Sequence, residues 1–252
     1  MSEPRWDPEQ YDRFKRERSQ PFHDLIARVP PIDARTIADL GCGDGELTLT
    51  LLDRWPHATI TGVDSSEEML AKARQRGAPP SVRFVHGDLR AFRPEAPLDL
   101  VVSNAALQWL PDHGGLLRSL VSILAPGGVL AVQVPNNHGE TAYRLAEELA
   151  PTLPPGPRSH VESIVFYREH LAALGLEAEV WETVYRHAMA SADGILEWLK
   201  GTVLRPAMTA LSAADARDYL ARLTERLRLA YPPEPGGVVF PFRRLFFVAR
   251  RT

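Results

Sequence analysis

Five short apolar runs, each closed by turn residues, alternate with helix-like stretches through the first half of the chain. They are Thr36–Leu40 (TIADL), Ala58–Val63 (ATITGV), Val82–Val85 (VRFV), Leu98–Ser103 (LDLVVS) and Val129–Val134 (VLAVQV). Short apolar runs bounded by turn signals suit strands buried on both faces. Between the first two, Leu47, Leu51 and Trp55 recur at helical spacing, and Pro56 ends the pattern. After the second, Ser65 and Glu68 have the spacing of a capping box, opening a helix to Arg76 with Met69 and Ala73 turned inward. Pro126-Gly127-Gly128 reads as a turn feeding the fifth strand. Alternation of this kind implies an α/β fold, a mostly parallel sheet with helices on both sides.

The rest of the chain breaks this rhythm. Residues 7–29 read as an amphipathic helix ahead of the first strand. Residues 136–236 read as helical pieces interrupted by PTLPPGPRSH, Pro151–His160. Two further strands, Gly175–His187 and Arg243–Arg251, are expected to add an antiparallel hairpin at the sheet edge. With 252 residues, 44% of them hydrophobic, the chain can bury one core or a core plus a cap. The expectation is a single domain, 1–252. Within it, 30–135 forms the ligand-binding core, and 1–29 with 136–236 form a helical cap over the strands' carboxyl ends. Residues 175–187 and 243–251 supply the edge strands. Ligands of open α/β sheets sit at those carboxyl ends.

Charge and cysteine usage narrow the function. A net charge of -3 argues against nucleic-acid or membrane-surface binding through bulk charge. Cys42 is the only cysteine, so one chain has neither a disulfide nor a thiolate metal site, and Cys42 reads as a small loop residue. His113, His160 and His187 lack metal-ligand spacing and read as structural or exposed. MSEPRWDPEQ carries charges and no apolar core, so no secretory signal is expected. No apolar run approaches the roughly 20 residues of a membrane span. A cytoplasmic location is the expectation.

The stretch ADLGCGDGELT, Ala38–Thr48, decides among ligands. Dinucleotide sites want G-x-G-x-x-G, or Ala in the last place. Here Gly41, Gly43 and Gly45 give G-x-G-x-G, and Glu46 follows. Asp39, Asp44 and Glu46 around one loop repel a pyrophosphate but suit a ligand carrying ammonium and sulfonium charges. Asp64 closes TGVD about 20 residues on, where an acid accepts hydrogen bonds from ribose hydroxyls. HGDL places Asp88 just past the third strand, able to accept from an adenine amino group with the Leu89 backbone beside it. Each acid also has a plain reading: Asp39 and Asp64 as helix caps, Asp88 as a turn residue.

In these motifs the sequence resembles the class I S-adenosylmethionine-dependent methyltransferases. DLGCGDG looks like their first motif, GVD their second, and HGDL carries their adenine acid. The resemblance implies a Rossmann-like sheet with S-adenosylmethionine as cofactor. Asp39 and the loop at Gly41 and Gly43 would face its methionyl part, with Asp39 acting through water. Asp64 and Ser65 would take the ribose, Asp88 and Leu89 the adenine, and Asn104 would lie near the methyl group. Longer strings resemble the trans-aconitate 2-methyltransferase family in particular: WDPEQYDRFKRERSQPF, SNAALQWLPDH, PGGVLAVQVPNN, WLKGTVLRP and RRLFFVARR. That likeness implies methyl transfer to one carboxylate of trans-aconitate, giving a monomethyl ester and S-adenosylhomocysteine. The chain departs from the family pattern at Glu46, where a neutral amide is common, and at Ala207, where a bulky residue is common.

The acceptor chemistry is consistent with this. SNAALQWLPDH, Ser103–His113, has neither the Pro-Pro-aromatic signature of amide and exocyclic-amine methylation nor the acidic cluster of a metal-dependent catechol site. A carboxylate, with a pKa near 4, is ionised without a general base, so no catalytic acid or base is expected. The enzyme has to hold the oxygen in line with the S–CH₃ bond at about 3 Å and exclude water. A small-molecule tricarboxylate partner calls for arginine forks. Tyr11 and Arg18 share one stripe of the first helix with Phe14. They join Gln108, Trp109, Tyr167 and Arg205 as candidate acceptor contacts, with Arg168 and Arg244 behind them. Competing readings are methylation of another small acid or a malonyl thioester carrier, a non-catalytic S-adenosylmethionine-binding regulator, and a nicotinamide oxidoreductase.

Overall fold

The computed structural model describes residues 15–149, 160–201 and 203–252. Tyr11 lies outside that range, as does most of the proline-rich Pro151–His160 stretch. The side chains at 15–18, 205 and 206 are also outside the description. Contacts divide the chain into two compact units. The first comprises 19–135, 159–183 and 245–252; the second comprises 1–18, 136–158 and 184–244. The expected core, 30–135, lies within the first.

The first unit runs from helix α1 (Lys15–Arg28), through β1 (Thr36–Leu40), α2 (Glu46–Arg54), β2 (Thr59–Asp64), α3 (Glu67–Gln75), β3 (Val82–His86) and β4 (Leu98–Asn104). A short 3₁₀ turn (Leu107–Trp109), α4 (His113–Ser122) and β5 (Leu124–Pro135) follow. Helix α6 (Ile164–Ala173) returns to this unit after α5 (Thr141–Glu148) of the second unit. Strands β6 (Leu176–Met189) and β7 (Val238–Arg251) complete a seven-stranded sheet in the order β3-β2-β1-β4-β5-β7-β6. The pairs β1–β2, β2–β3, β1–β4 and β4–β5 are parallel, and β7 with β6 makes an antiparallel edge hairpin. The order reverses between β1 and β4. Connections leaving those two strands diverge, and that divergence opens a crevice at their carboxyl ends.

All five expected strands form, with one revision. Pro126-Gly127-Gly128 does not precede the fifth strand but lies inside it, because β5 starts at Leu124. Leu98 pairs with Leu124 and Leu100 with Val129, so the intervening residues are looped out of register. The tight fit at Gly128, where a Cβ would lie 2.8 Å from the Leu98 carbonyl oxygen, keeps that irregularity compact.

Ala38, Leu40, Val101, Leu130 and Val132 share a core with Leu116, Leu117 and Leu120 of α4 and Tyr167 and Leu171 of α6. Strand alternation turns Ile37 and Asp39 to the other face. Helix α1 buries Phe22 and Leu25, and its end is tied to α2. The Arg54 guanidinium donates to the carbonyls of Ile26, Val29 (2.6 Å) and Pro30 (3.2 Å) while stacking over Trp55 at 4.7 Å. Trp55 Nε1 donates to Ile32 O at 3.0 Å. A cation is thereby placed on the carbonyls that a helix C-terminus leaves unpaired.

In the second unit, α7 (Ala192–Lys200), α8 (Arg205–Ala210) and α9 (Ala213–Ala230) accompany α5. Tyr219, Leu223 and Leu227 form one stripe of α9. They pack with Ile195, Trp198, Leu199, Phe240 and Phe242, and Tyr219 Oη donates to Ala146 O at 2.9 Å.

Arg54→Ala is expected to destabilise the protein by about 1–2 kcal/mol, the scale of charged hydrogen bonds lost at a half-buried site. Arg54→Lys should retain little of it, since one ammonium lacks the planar fork that reaches several carbonyls. Urea midpoints at constant m-value provide the measurement.

Candidate functional site

At the carboxyl end of β1 the chain turns through Gly41, Gly43 and Gly45, all at positive φ (84°, 56° and 73°). Only glycine takes such values without strain. Two of these glycines are bare for internal reasons. A Cβ on Gly41 would overlap that of Ala106; one on Gly45 would lie 2.5 Å from Phe84 Cζ and 2.9 Å from Ala73 Cβ. The expectation that Gly41 makes room for a ligand is therefore revised: the methyl group of Ala106 takes that space, and Gly41 N–H donates to Val63 O at 2.7 Å. Gly43 is the open member, its nearest neighbour being Met69 Cε at 3.4 Å from a built Cβ.

Charge at the loop is also less uniform than the sequence suggests. Arg76 pairs with both Asp44 and Glu46, the latter at 3.0 Å. Two of the three acids invoked against a pyrophosphate thus share one arginine, 30 or more positions along the chain, which offsets one of their two charges. The remaining acid is Asp39, only 3% exposed, accepting from Thr48 Oγ1 at 2.6 Å. Burial pushes its carboxyl up to about 6; the Thr48 hydrogen bond opposes the rise and the charge of Asp64 adds to it. Cys42, in the same loop, is buried, and burial raises its thiol well above the usual range. An inert loop residue follows from that.

Asp64 ends β2 and holds two segments together. Its Oδ2 accepts from Gly43 N–H and its Oδ1 from Ser66 N–H, both at 2.8 Å. That turn moves the helix cap by one residue. Ser66, not Ser65, is the N-cap of α3 and accepts from Met69 N–H at 3.3 Å. The buried positions of α3 are accordingly Leu70 and Ala73, while Met69 lies half-buried over the loop. Asp88 follows β3 and is clasped by Arg90, whose Nε donates to both carboxylate oxygens (3.0 and 2.9 Å). That clasp holds Asp88 below the usual carboxylate range. Leu89 adjoins it, half-buried.

The loop after β4 faces the glycine loop. Ser103 Oγ donates to Leu40 O at 2.6 Å, tying the ends of β4 and β1. Ala105 sits at φ 54° and its N–H donates to Gln133 O at 2.9 Å. Gln108 is 2% exposed; its Nε2 donates to Ala105 O at 2.7 Å, while its Oε1 and Asn104 Oδ1 are buried with no hydrogen-bond partner among the described residues. Trp109 is 55% exposed. Tyr167, expected against the acceptor, is instead 1% exposed in the core of α4 and α6, with its hydroxyl 2.5 Å from His113 Nδ1. It belongs to the stripe of α6 that packs on the sheet. His113 itself is buried, His160 exposed and His187 half-buried beside Trp198. Arg168 is exposed. Arg244, in the second unit, is buried with its guanidinium 4.4 Å from the Phe242 ring centroid. Arg18 lies on α1 and Arg205 opens α8, but their side chains are outside the description. Thr48, Phe84 and Ala106 escaped the sequence reading, as did the partners of Arg76 and of His113, which the sequence marks only as structural or exposed; Arg76, Phe84, Ala106 and Tyr167 meet partners 30 or more positions away.

The comparisons with known proteins agree with these motifs. A family model described as a methyltransferase domain matches residues 37–128. A trans-aconitate 2-methyltransferase of Streptomyces avermitilis is 47% identical, covering 98% of this chain and 97% of the relative. One of Escherichia coli O157:H7 is 44% identical, covering 98% of each. The chain belongs to the trans-aconitate 2-methyltransferase family. It is accordingly an S-adenosylmethionine-dependent methyltransferase. Among solved structures, a methyltransferase of Bacillus halodurans superposes with a TM-score of 0.60 at 14% identity, covering 91% of this chain and 98% of the other, which supports the fold.

For a trans-aconitate 2-methyltransferase family member, the residues at the crevice fit a cationic, donor-bearing cofactor. A buried carboxylate with a raised pKa gains from a neighbouring cation. Orphaned acceptors such as Asn104 Oδ1 call for a donor. Without ligand, Asp39 lowers stability as pH rises. Its folded pKa, about 6, exceeds the reference 3.8, so stability is fully present below 3.8 and is lost through about 6. The loss approaches ~3 kcal/mol on the linkage relation. Asp39→Asn should therefore flatten the fall of Tm between pH 4 and 7 in ligand-free protein. Parallel Tm profiles for the two proteins would contradict the buried-carboxylate account.

Proposed function

We propose that the protein methylates one carboxylate of trans-aconitate, as the names of its relatives state for them. The supporting observation is identity of 44% or more extending over 98% of the chain. S-adenosylmethionine supplies an electrophilic methyl group on a sulfonium centre. On this reading Asp39, Asn104 and the loop at Gly41 and Gly43 hold its methionyl end. Asp64 and Ser65 hold the ribose; each Asp64 oxygen keeps a second lone pair after accepting its backbone N–H. Asp88 and Leu89 take the adenine, which requires Arg90 to share or release the carboxylate it clasps.

Acceptor contacts are assigned to Gln108, Trp109, Tyr11, Arg18 and Arg205. Tyr167 is withdrawn as a direct contact. Residues 30–135 thus serve the cofactor, while 1–29 and 136–236 are proposed to supply acceptor contacts. The acceptor is ionised at neutral pH, so the protein's tasks are binding, alignment and exclusion of water, with no proton to remove. A cytoplasmic location belongs to the same proposal; among the described residues no helix is long and apolar enough to cross a membrane.

Mass spectrometry after incubation with S-adenosylmethionine and trans-aconitate should detect a monomethyl ester. Free malonate and a malonyl carrier should turn over far more slowly; the reverse ranking would replace the proposed acceptor. Asp64→Ala should weaken cofactor binding by about 1.5–3 kcal/mol, the scale of charge-assisted hydrogen bonds, as calorimetry would read. Arg18→Ala should raise the acceptor KM far more than the cofactor KM; equal increases would remove Arg18 from the acceptor site.

A further inference from the structure

His113 has no role in the chemistry described so far, yet its hydrogen bonds determine its protonation and reach the loop after β4. Its Nε2 lies 3.0 Å from Leu107 O. A carbonyl can only accept, so Nε2 carries hydrogen. The ring's Nδ1 lies 2.5 Å from Tyr167 Oη. In a neutral imidazole the second nitrogen is an acceptor, so Tyr167 donates to it, and Tyr167 Oη in turn accepts from Glu162 N–H at 3.4 Å. Glu162 and His160 are the titratable groups that bear on the ring, with opposite signs, and burial outweighs both in favouring the neutral form. Burial likewise keeps Tyr167 protonated.

The far end of this chain is the site. Leu107 opens the 3₁₀ turn that carries Gln108 and Trp109. Gln108 Nε2 holds Ala105 O, and Gln108 O receives His160 N–H at 2.6 Å. Ala105 is in the left-handed region, which for a non-glycine residue is strained and persists only under restraint from its surroundings. Ala106 abuts Gly41. The loop is thus strained at Ala105, pressed against the glycine loop at Ala106, and tethered at Leu107 to α4 and α6 through one imidazole and one phenol.

We propose that His113 is a positioning residue for methyl transfer: oriented as the Nε2–H tautomer by Tyr167, it fixes the Ala105–Trp109 loop against Gly41 and so sets where Gln108 and Trp109 stand at the crevice. Tyr167 acts through His113, not on the acceptor. The inference rests on the proposed function only for the identity of the acceptor.

The test uses the full chain. Nitrogen-15 spectra of the imidazoles should show His113 neutral, with hydrogen on Nε2, at pH 7. In Tyr167→Phe the tautomer preference should be lost and the ring should protonate at higher pH. His113→Gln places an amide N–H near the position of Nε2, whereas His113→Leu offers no donor. The Leu variant should lose about 10²-fold in kcat, the scale of a small misplacement at a reacting centre. Its affinity for S-adenosylhomocysteine should stay within a few-fold, and the Gln variant should recover most of the rate. An Nδ1–H tautomer or an imidazolium at pH 7, or equal rates for the Gln and Leu variants, overturns the proposal. If His113→Leu does not fold, the conservative Tyr167→Phe variant carries the kinetic comparison. If the wild-type protein does not methylate trans-aconitate, the acceptor reading fails, while the tautomer spectra still decide this one.

Discussion

The crevice depends on the close approach of Gly41 and Ala106. The loops after β1 and β4 meet there with no side chain on one partner and a methyl group on the other. Ser103 Oγ, donating to Leu40 O, pins the strand ends just below, and Asp64 pins the far side of the glycine loop through Gly43 N–H. Any larger residue at position 41 would push the two loops apart at the point where the strand order reverses. Much of the glycine content of this loop therefore serves protein packing, and only Gly43 keeps an open side.

Electrostatics follow from that packing. Asp39 is buried beside Thr48, and among the described residues Asn104 Oδ1 and Gln108 Oε1 have no donor. Arg76 offsets one of the two outer acidic charges. What remains is a region of buried acceptors, Asp39, Asn104 Oδ1 and Gln108 Oε1. Such a region favours a cation with N–H donors and disfavours a diphosphate. The original contrast between a cationic nucleoside and a pyrophosphate survives, but it rests on two inward acids, Asp39 and Asp64, instead of a ring of carboxylates.

Much of the parallel sheet was legible in the residue pattern because strands buried on both faces read as short, mostly apolar runs bounded by turn residues, as TIADL and LDLVVS do. Local spacing failed where a side chain recruited backbone from outside its own helix. Asp64, by accepting from Ser66 N–H, displaced the expected cap from Ser65. Tyr167 looked like a ligand contact because a lone tyrosine in a helical segment does not declare its face. The fold turns it inward, where its hydroxyl finds His113, 54 positions away. Arg244, ranked behind the other acceptor candidates, is buried over Phe242.

Residue order was enough to establish the strand sequence, the glycine turn and the acids that follow β1, β2 and β3, because these are set by local period and by which residues tolerate positive φ. Which of those acids stay charged, which glycines are filled from within, and which tyrosine is buried depended on the folded chain. Those properties arise from burial and from partners tens of residues distant, and neither is a function of neighbouring sequence.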